Sequence, residues 1–181
     1  MPITVVPSSP TWPARFEGVA RALRAALDGV PGAVVEHVGS TSVPGLPAKP
    51  ILDVDVIVPA ADVPAAVRAL EAVGYTHRGD LGLAGREAMD APDDDPARHV
   101  YVCARGTLHV RNHLAVRDVL RRRDDLRDEY GAVKLALAAD PTMEIERYLA
   151  GKSAVLQKVL AESDLTPDEL RQVLRANDTS A

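Results

Sequence analysis

"ILDVDVIV", residues 51–58, is the stretch that decides the fold. It is rich in Val and Ile, eight residues long and flanked by Pro50 and Pro59, so it predicts a strand bounded by turns. Side chains alternate across a strand. Asp53, Asp55 and Ile57 therefore share one face, and Leu52, Val54, Val56 and Val58 share the other. The aliphatic face predicts a back buried in the core. The two carboxylates are expected to project together from the front, with Cβ atoms roughly 6.5–7 Å apart by strand rise. Like charges that close raise each other's pKa unless a cation sits between them. Magnesium suits that position, because it takes oxygen ligands and is held by one or two carboxylates plus substrate phosphates.

The residues just upstream fit the other half of such a site. VVEHV (34–38) reads as a strand running into Gly39–Ser40–Thr41. Glycine lets backbone approach a phosphate closely, and the following N–H groups with the Ser40 hydroxyl can donate to it. A lone D-x-D more often caps a helix or pairs with arginine, and G-S-T alone is an ordinary turn. The ordered set of strand, Gly–Ser turn, connecting loop and D-x-D strand points instead to a metal–phosphate site.

Farther out, ITVV (3–6) reads as a short strand, and Phe16, Val19, Ala20, Leu23 and Leu27 give a helix over 13–28. An amphipathic helix over 62–73 ends at Gly74. Short strands are expected at 75–77 and 85–89, a polar loop at 89–98 and a strand at HVYVCAR (99–105). After residue 109 the period becomes helical, with segments at about 110–123, 124–139 and 142–162. TPDELRQVLRAN (166–177) has an N-cap Thr, Pro at the first helical position and early acids, which predicts one more short helix in the tail. The expected architecture is α/β (α+β): a small mixed sheet flanked by helices, with 1–108 as core, 109–163 as helical extension and 164–181 as tail of a single domain covering 1–181.

Composition narrows the function. With 181 residues and 3% aromatics, the core must be built from Ala, Val and Leu. A net charge of −5 argues against a broad nucleic-acid surface, which needs clustered cations. No apolar run reaches membrane-spanning length and the first residues lack a signal-peptide pattern, so a soluble cytoplasmic protein is expected. The single cysteine, Cys103, rules out an internal disulfide and a multi-cysteine zinc site. It reads as a small core residue.

The Gly-Ser…Asp-x-Asp arrangement resembles the signature of the nucleotidyltransferase superfamily. More closely, the chain resembles the GrpB family through VVPSSPTWPARF (5–16), HVGSTSVPGLPAKPILDVDV (37–56), GLAGRE (82–87), HVYVC (99–103), NHLAVRDVLR (112–121), YGAVKLALA (130–138) and YLAGKSAVLQ (148–157). The resemblance implies a nucleotidyltransferase-like fold and magnesium on Asp53 and Asp55. It also implies a nucleoside triphosphate or related phosphorylated small molecule as ligand. Some relatives are fused to dephospho-CoA kinase, which makes that enzyme a candidate partner. Two functions follow: transfer of a nucleotidyl group to a small acceptor, or a non-catalytic nucleotide- or CoA-binding accessory module. A third carboxylate on the next strand, usual in the superfamily, has no counterpart in HVYVC, where His99 and Tyr101 share a face. Glu87 or Asp90 could substitute, or His99 could act as base or hydrogen-bond donor.

The remaining polar candidates are each open to two readings. Lys49 could neutralise a phosphate or be a loop lysine. Arg86, in GLAGRE, suits bidentate phosphate or carboxylate binding. His37 is a satisfied strand histidine or a ligand. His109, His113 and Arg117 fall on one helical stripe and suit a polar face looking at the sheet. Lys134 and Lys152 read as solvated helix lysines or as lining of the cleft.

Overall fold

The computed structural model describes residues 3–178. Its sheet has five strands: β1 (Val34–Val38), β2 (Leu52–Val58), β3 (Thr76–His77), β4 (Arg86–Asp90) and β5 (Arg98–Ala104), in the order β1-β2-β5-β4-β3. Only β2 and β5 run parallel. β2 is central, as its apolar back requires. Leu52, Val54, Val56 and Val58 are at most 2% exposed. They pack with Val100 and Val102 against α1 (Trp12–Ala26) and α2 (Val63–Glu71) in one core cluster. The expected strand at residues 3–6 shrinks to a single bridge between Val6 and Ala48, because Pro7 ends the segment before a ladder can form.

Helices cover the other face of the sheet. They are α3 (Leu108–Arg122), α4 (Asp124–Ala138), α5 (Ile145–Gly151), α6 (Ser153–Ala161) and α7 (Pro167–Asp178). The helix expected over 142–162 starts late and breaks at Lys152, in the Gly151–Lys152–Ser153 step. Gly151 packs so tightly on α4 that a Cβ there would lie 2.8 Å from Leu137 Cδ1, so only glycine fits at this break. α7 opens on a reciprocal cap: Glu169 Oε2 accepts from the Thr166 N–H at 2.8 Å, and Thr166 Oγ1 accepts from the Glu169 N–H at 3.3 Å.

Two contacts of this helical layer matter for the site. Val43 and Leu46, from the loop after β1, are buried among Val119, Leu126, Tyr130 and Val159. The Gly–Ser turn is thus anchored to the helices as well as to the sheet. Ile57 and Cys103, on the sheet face opposite the main core, are sealed by Val110 of α3. Among the described residues no helix is long and apolar enough to cross a membrane.

Candidate functional site

Register builds the site. Asp53 of β2 stands opposite Val38 of β1 and His99 of β5, and Asp55 stands opposite Glu36 and Tyr101. β5 therefore presents His99, Tyr101 and Cys103 on the carboxylate face, with no acid among them.

Asp53 is the open carboxylate. Its side chain is 32% exposed, and its Oδ1 accepts from His99 Nδ1 at 3.0 Å. That bond raises the His99 pKa above its ordinary value against the opposing effect of burial. The carboxyl lies directly against Gly39, which has φ +67°. A Cβ there would fall 2.8 Å from Asp53 Cγ and closer still to Oδ2. Glycine is required on both counts.

Beyond Gly39, the turn Ser40–Ser42 forms one rim of a cavity of about 120 Å³. Ser40, Thr41, Lys49, Asp53, His99, Lys134, Tyr148 and Lys152 are among the residues that line it. Lys134 Nζ donates to Ser40 Oγ at 2.9 Å and lies 4.6 Å from the Tyr130 ring centre. Lys49 and Lys152 flank the Tyr148 ring at 5.1 and 4.6 Å. Burial, with Lys152 nearby, holds Lys134 down to about 7. Burial, with Lys49 nearby and Asp53 opposing, holds Lys152 down to about 8. Three lysine side chains thus line one small polar cavity, and burial disfavours the charged form of two of them, Lys134 and Lys152.

Asp55 departs from the expected pairing. It is 0% exposed, closed over by α3, and its Oδ2 accepts from His113 Nδ1 at 2.9 Å. Asp53 and Asp55 share a face but not a solvent space, because the helix that docks on Ile57 and Cys103 also covers Asp55. Arg86 also lies outside the cavity: its guanidinium stacks 4.6 Å from the Tyr101 ring centre. Glu87 points to the opposite sheet face and bonds His77 at 2.6 Å. Asp90 pairs with Arg78 and lines a second pocket of about 430 Å³ on the far side of His99, beside Met89, Arg98 and Tyr101.

His37 is a satisfied core histidine, stacked 4.4 Å from Phe16 and bonded to Thr41 Oγ1 at 3.0 Å. Burial and the nearby Arg121 lower its pKa to about 4. Arg117 donates to Glu36 and to the His37 carbonyl, and Arg121 makes two bonds to the Ser42 carbonyl, at 3.0 and 2.8 Å. Both fasten α3 to β1 and the turn. Lys134 carried a sequence signal. Lys134 continues the stripe Leu126–Tyr130 at helical spacing, so it had to face inward.

The donor set fits magnesium at one point. A single open carboxylate beside an anion cavity suits an ion that arrives with a phosphate chain and keeps several waters. The sealed Asp55 does not offer a second ligand to that point.

The chain resembles other proteins over most of its length. A UPF0157 protein of Halalkalibacterium halodurans is 37% identical over 166 residues, 91% of this chain and 84% of that protein. A dephospho-CoA kinase of Mycolicibacterium paratuberculosis is 28% identical over 83% of this chain, which spans 43% of that longer protein. Among solved structures, the conserved protein GrpB from Enterococcus faecalis matches with a TM-score of 0.75 and 32% identity, covering 94% and 99% of the two chains. A chain in the structure of the GLD-2/RNP-8 complex matches with a TM-score of 0.56 at 14% identity over 97% of this chain and 70% of that one, a likeness of fold alone. The sheet and its flanking helices share the fold of the GrpB structure. With the GrpB protein model matching residues 2–162, the chain belongs to the GrpB family.

Proposed function

We propose that the cleft binds the phosphate chain of a nucleoside triphosphate and that the protein transfers the nucleotidyl group from it to the hydroxyl of a small acceptor, forming the acceptor oxygen–α-phosphorus bond as the bond to the β-phosphate breaks and pyrophosphate leaves. The observation that carries this reading is the convergence of Lys49, Lys134, Lys152 and Ser40 around one cavity with Asp53 at its edge. Lys134 and Lys152 take up protons as the anion enters, and the Ser40 hydroxyl and the N–H groups of its turn position the phosphates. Asp53 holds magnesium, which supplies charge neutralisation along the phosphate chain when bound. His99, more than half exposed at its side chain, is held by Asp53 through Nδ1. Its Nε2 edge is then placed to accept a proton from an acceptor hydroxyl in the 430 Å³ pocket. His99, which lines both spaces, marks the boundary between them. The soluble, cytoplasmic setting expected from the sequence suits this chemistry.

A second reading has its own support. β5 lacks a carboxylate where the superfamily signature expects one, which favours binding of a nucleotide or CoA-like ligand without turnover. The likeness to a longer protein named dephospho-CoA kinase makes that enzyme the natural partner for such a module. The discriminating experiment incubates the protein with each α-labelled nucleoside triphosphate, with and without magnesium, and a mixture of small hydroxyl acceptors. Labelled adduct that disappears in His99→Ala supports transfer. Magnesium-dependent binding with no adduct supports the accessory module. Absence of both overturns the two readings.

A further inference from the structure

The mechanism above leaves Asp55 unused. Its carboxylate is fully buried, yet among the described residues only one of its oxygens has a partner: Oδ2 takes the His113 bond, while Oδ1 is buried without any. Facing it is a second orphan. His109 Nε2 is also buried without a partner, 4.0 Å from Asp55 Oδ1. The third member is the Cys103 thiol, fully buried on the neighbouring strand. One ligand atom from each of Asp55, Cys103 and His109 can be drawn from within 4.8 Å of the others. A buried carboxylate with an unsatisfied oxygen is costly, and two adjacent orphans are costlier. Something of positive charge that can accept lone pairs from oxygen, nitrogen and sulfur together resolves all three.

We propose that Asp55, Cys103 and His109 form a buried site for a thiophilic divalent metal ion of the zinc class, with solvent completing four-coordination. The donor set is one carboxylate oxygen, one imidazole nitrogen and one sulfur, which suits zinc and excludes magnesium. Tetrahedral coordination sets ligand–ligand separations of about 3.3–3.7 Å, so the three atoms close by no more than about 1.5 Å on loading. His113 is the positioning residue: its Nδ1–H fixes the carboxylate so that Oδ1 points at the ion, as outer-shell donors do around metals. Two further features agree. Burial and His113 hold His109 down to about 4, so the imidazole is neutral and free to ligate. Burial and Asp55 hold the Cys103 thiol up while no ion is present, a direction that metal coordination reverses. Binding releases the thiol proton to solvent. The ion cross-links β2, β5 and α3 under the floor of the cleft, separately from Asp53 and its magnesium.

The test uses the full chain, stripped with chelator and titrated with cobalt(II). The expected result is one cobalt per chain, a tetrahedral visible spectrum and a sulfur-to-cobalt charge-transfer band, with a rise in melting temperature. Cys103→Ser removes the band, and Asp55→Asn and His109→Gln each weaken binding at least 100-fold. Asp53→Asn leaves the band in place, and His113→Gln weakens binding by 10–100-fold while retaining it. Binding without a thiolate band, or binding lost in Asp53→Asn but not in Cys103→Ser, overturns the proposal, as does no stoichiometric binding by the unmutated chain. Because the parent protein is read first, a variant that fails to fold does not decide the outcome. The result is independent of whether any nucleotide binds.

Discussion

At the scale of single residues, two positions carry the cleft. Gly39 combines a left-handed backbone with contact against the Asp53 carboxyl. Gly39→Ala therefore strains the turn and pushes Asp53 off His99. The expected cost is about 1–2 kcal/mol of stability, read from a denaturant melt, with triphosphate affinity down at least tenfold. Affinity within twofold of the parent would show that Asp53 does not need its seat. Lys134 is the second position. The residue is 1% exposed, and burial brings its pKa down to about 7 from an ordinary value of 10.5. The unfolded chain binds this proton more tightly than the folded one. Stability from this group is thus lost as pH falls from about 10.5 to 7 and regained as pH rises through that window. Lys134→Met is expected to raise the melting temperature of the empty protein at pH 7 by a few degrees, about 1–3 kcal/mol, and to flatten its rise with pH. It should also abolish triphosphate binding. In the parent, proton uptake on binding makes affinity fall from pH 7 to 9, which calorimetry in buffers of different ionisation enthalpy would detect. A destabilised Lys134→Met that still binds would refute the assignment.

At the scale of elements, α3 is the piece that sets what the sheet can do. Arg121 grips the Ser42 carbonyl twice, and Arg117 ties the same helix to Glu36 and His37. Arg121→Ala is expected to cost about 1–3 kcal/mol and to speed amide hydrogen exchange across 40–43 more than elsewhere. Uniform exchange changes would mean that the turn is held by the Val43–Leu46 anchor alone. The elements also show where the sequence was legible. β2 and β1 follow from their β-branched residues and flanking Pro and Gly, α1 follows from apolar spacing, and α7 follows from its N-terminal cap. Gly39, Ser40, Lys49 and Asp53 fall within one motif of strand, turn and strand, and His99 joins them only through the parallel pairing of β5 with β2. Asp55 was misplaced for a different reason. Alternation says which face a side chain takes, and it says nothing of the helix, more than fifty residues later, that covers that face. The break at Lys152 was hidden too, since Gly151 reads as a tolerated helical glycine until Leu137 is set against it.

At the scale of the whole molecule, a chain of net charge −5 concentrates lysines where two layers meet. The sheet supplies Asp53 and His99, the loop between β1 and β2 supplies Ser40 and Lys49, and the helical layer supplies Lys134, Tyr148 and Lys152. Neither layer alone makes the site, which is why the helices are built into the turn through Val43 and Leu46. On the proposed function, this junction is a magnesium-assisted triphosphate site. The most direct measurement is an equilibrium titration of a nucleoside triphosphate into the intact chain, with and without magnesium, alongside Asp53→Asn and a Lys134→Met, Lys152→Met double variant. The account predicts saturable one-to-one binding that weakens at least tenfold without magnesium. It predicts a similar loss in Asp53→Asn, with magnesium no longer having an effect, and no binding in the double lysine variant. Binding by the parent that is indifferent to magnesium and survives both sets of substitutions, or no binding of any nucleoside triphosphate, would contradict it.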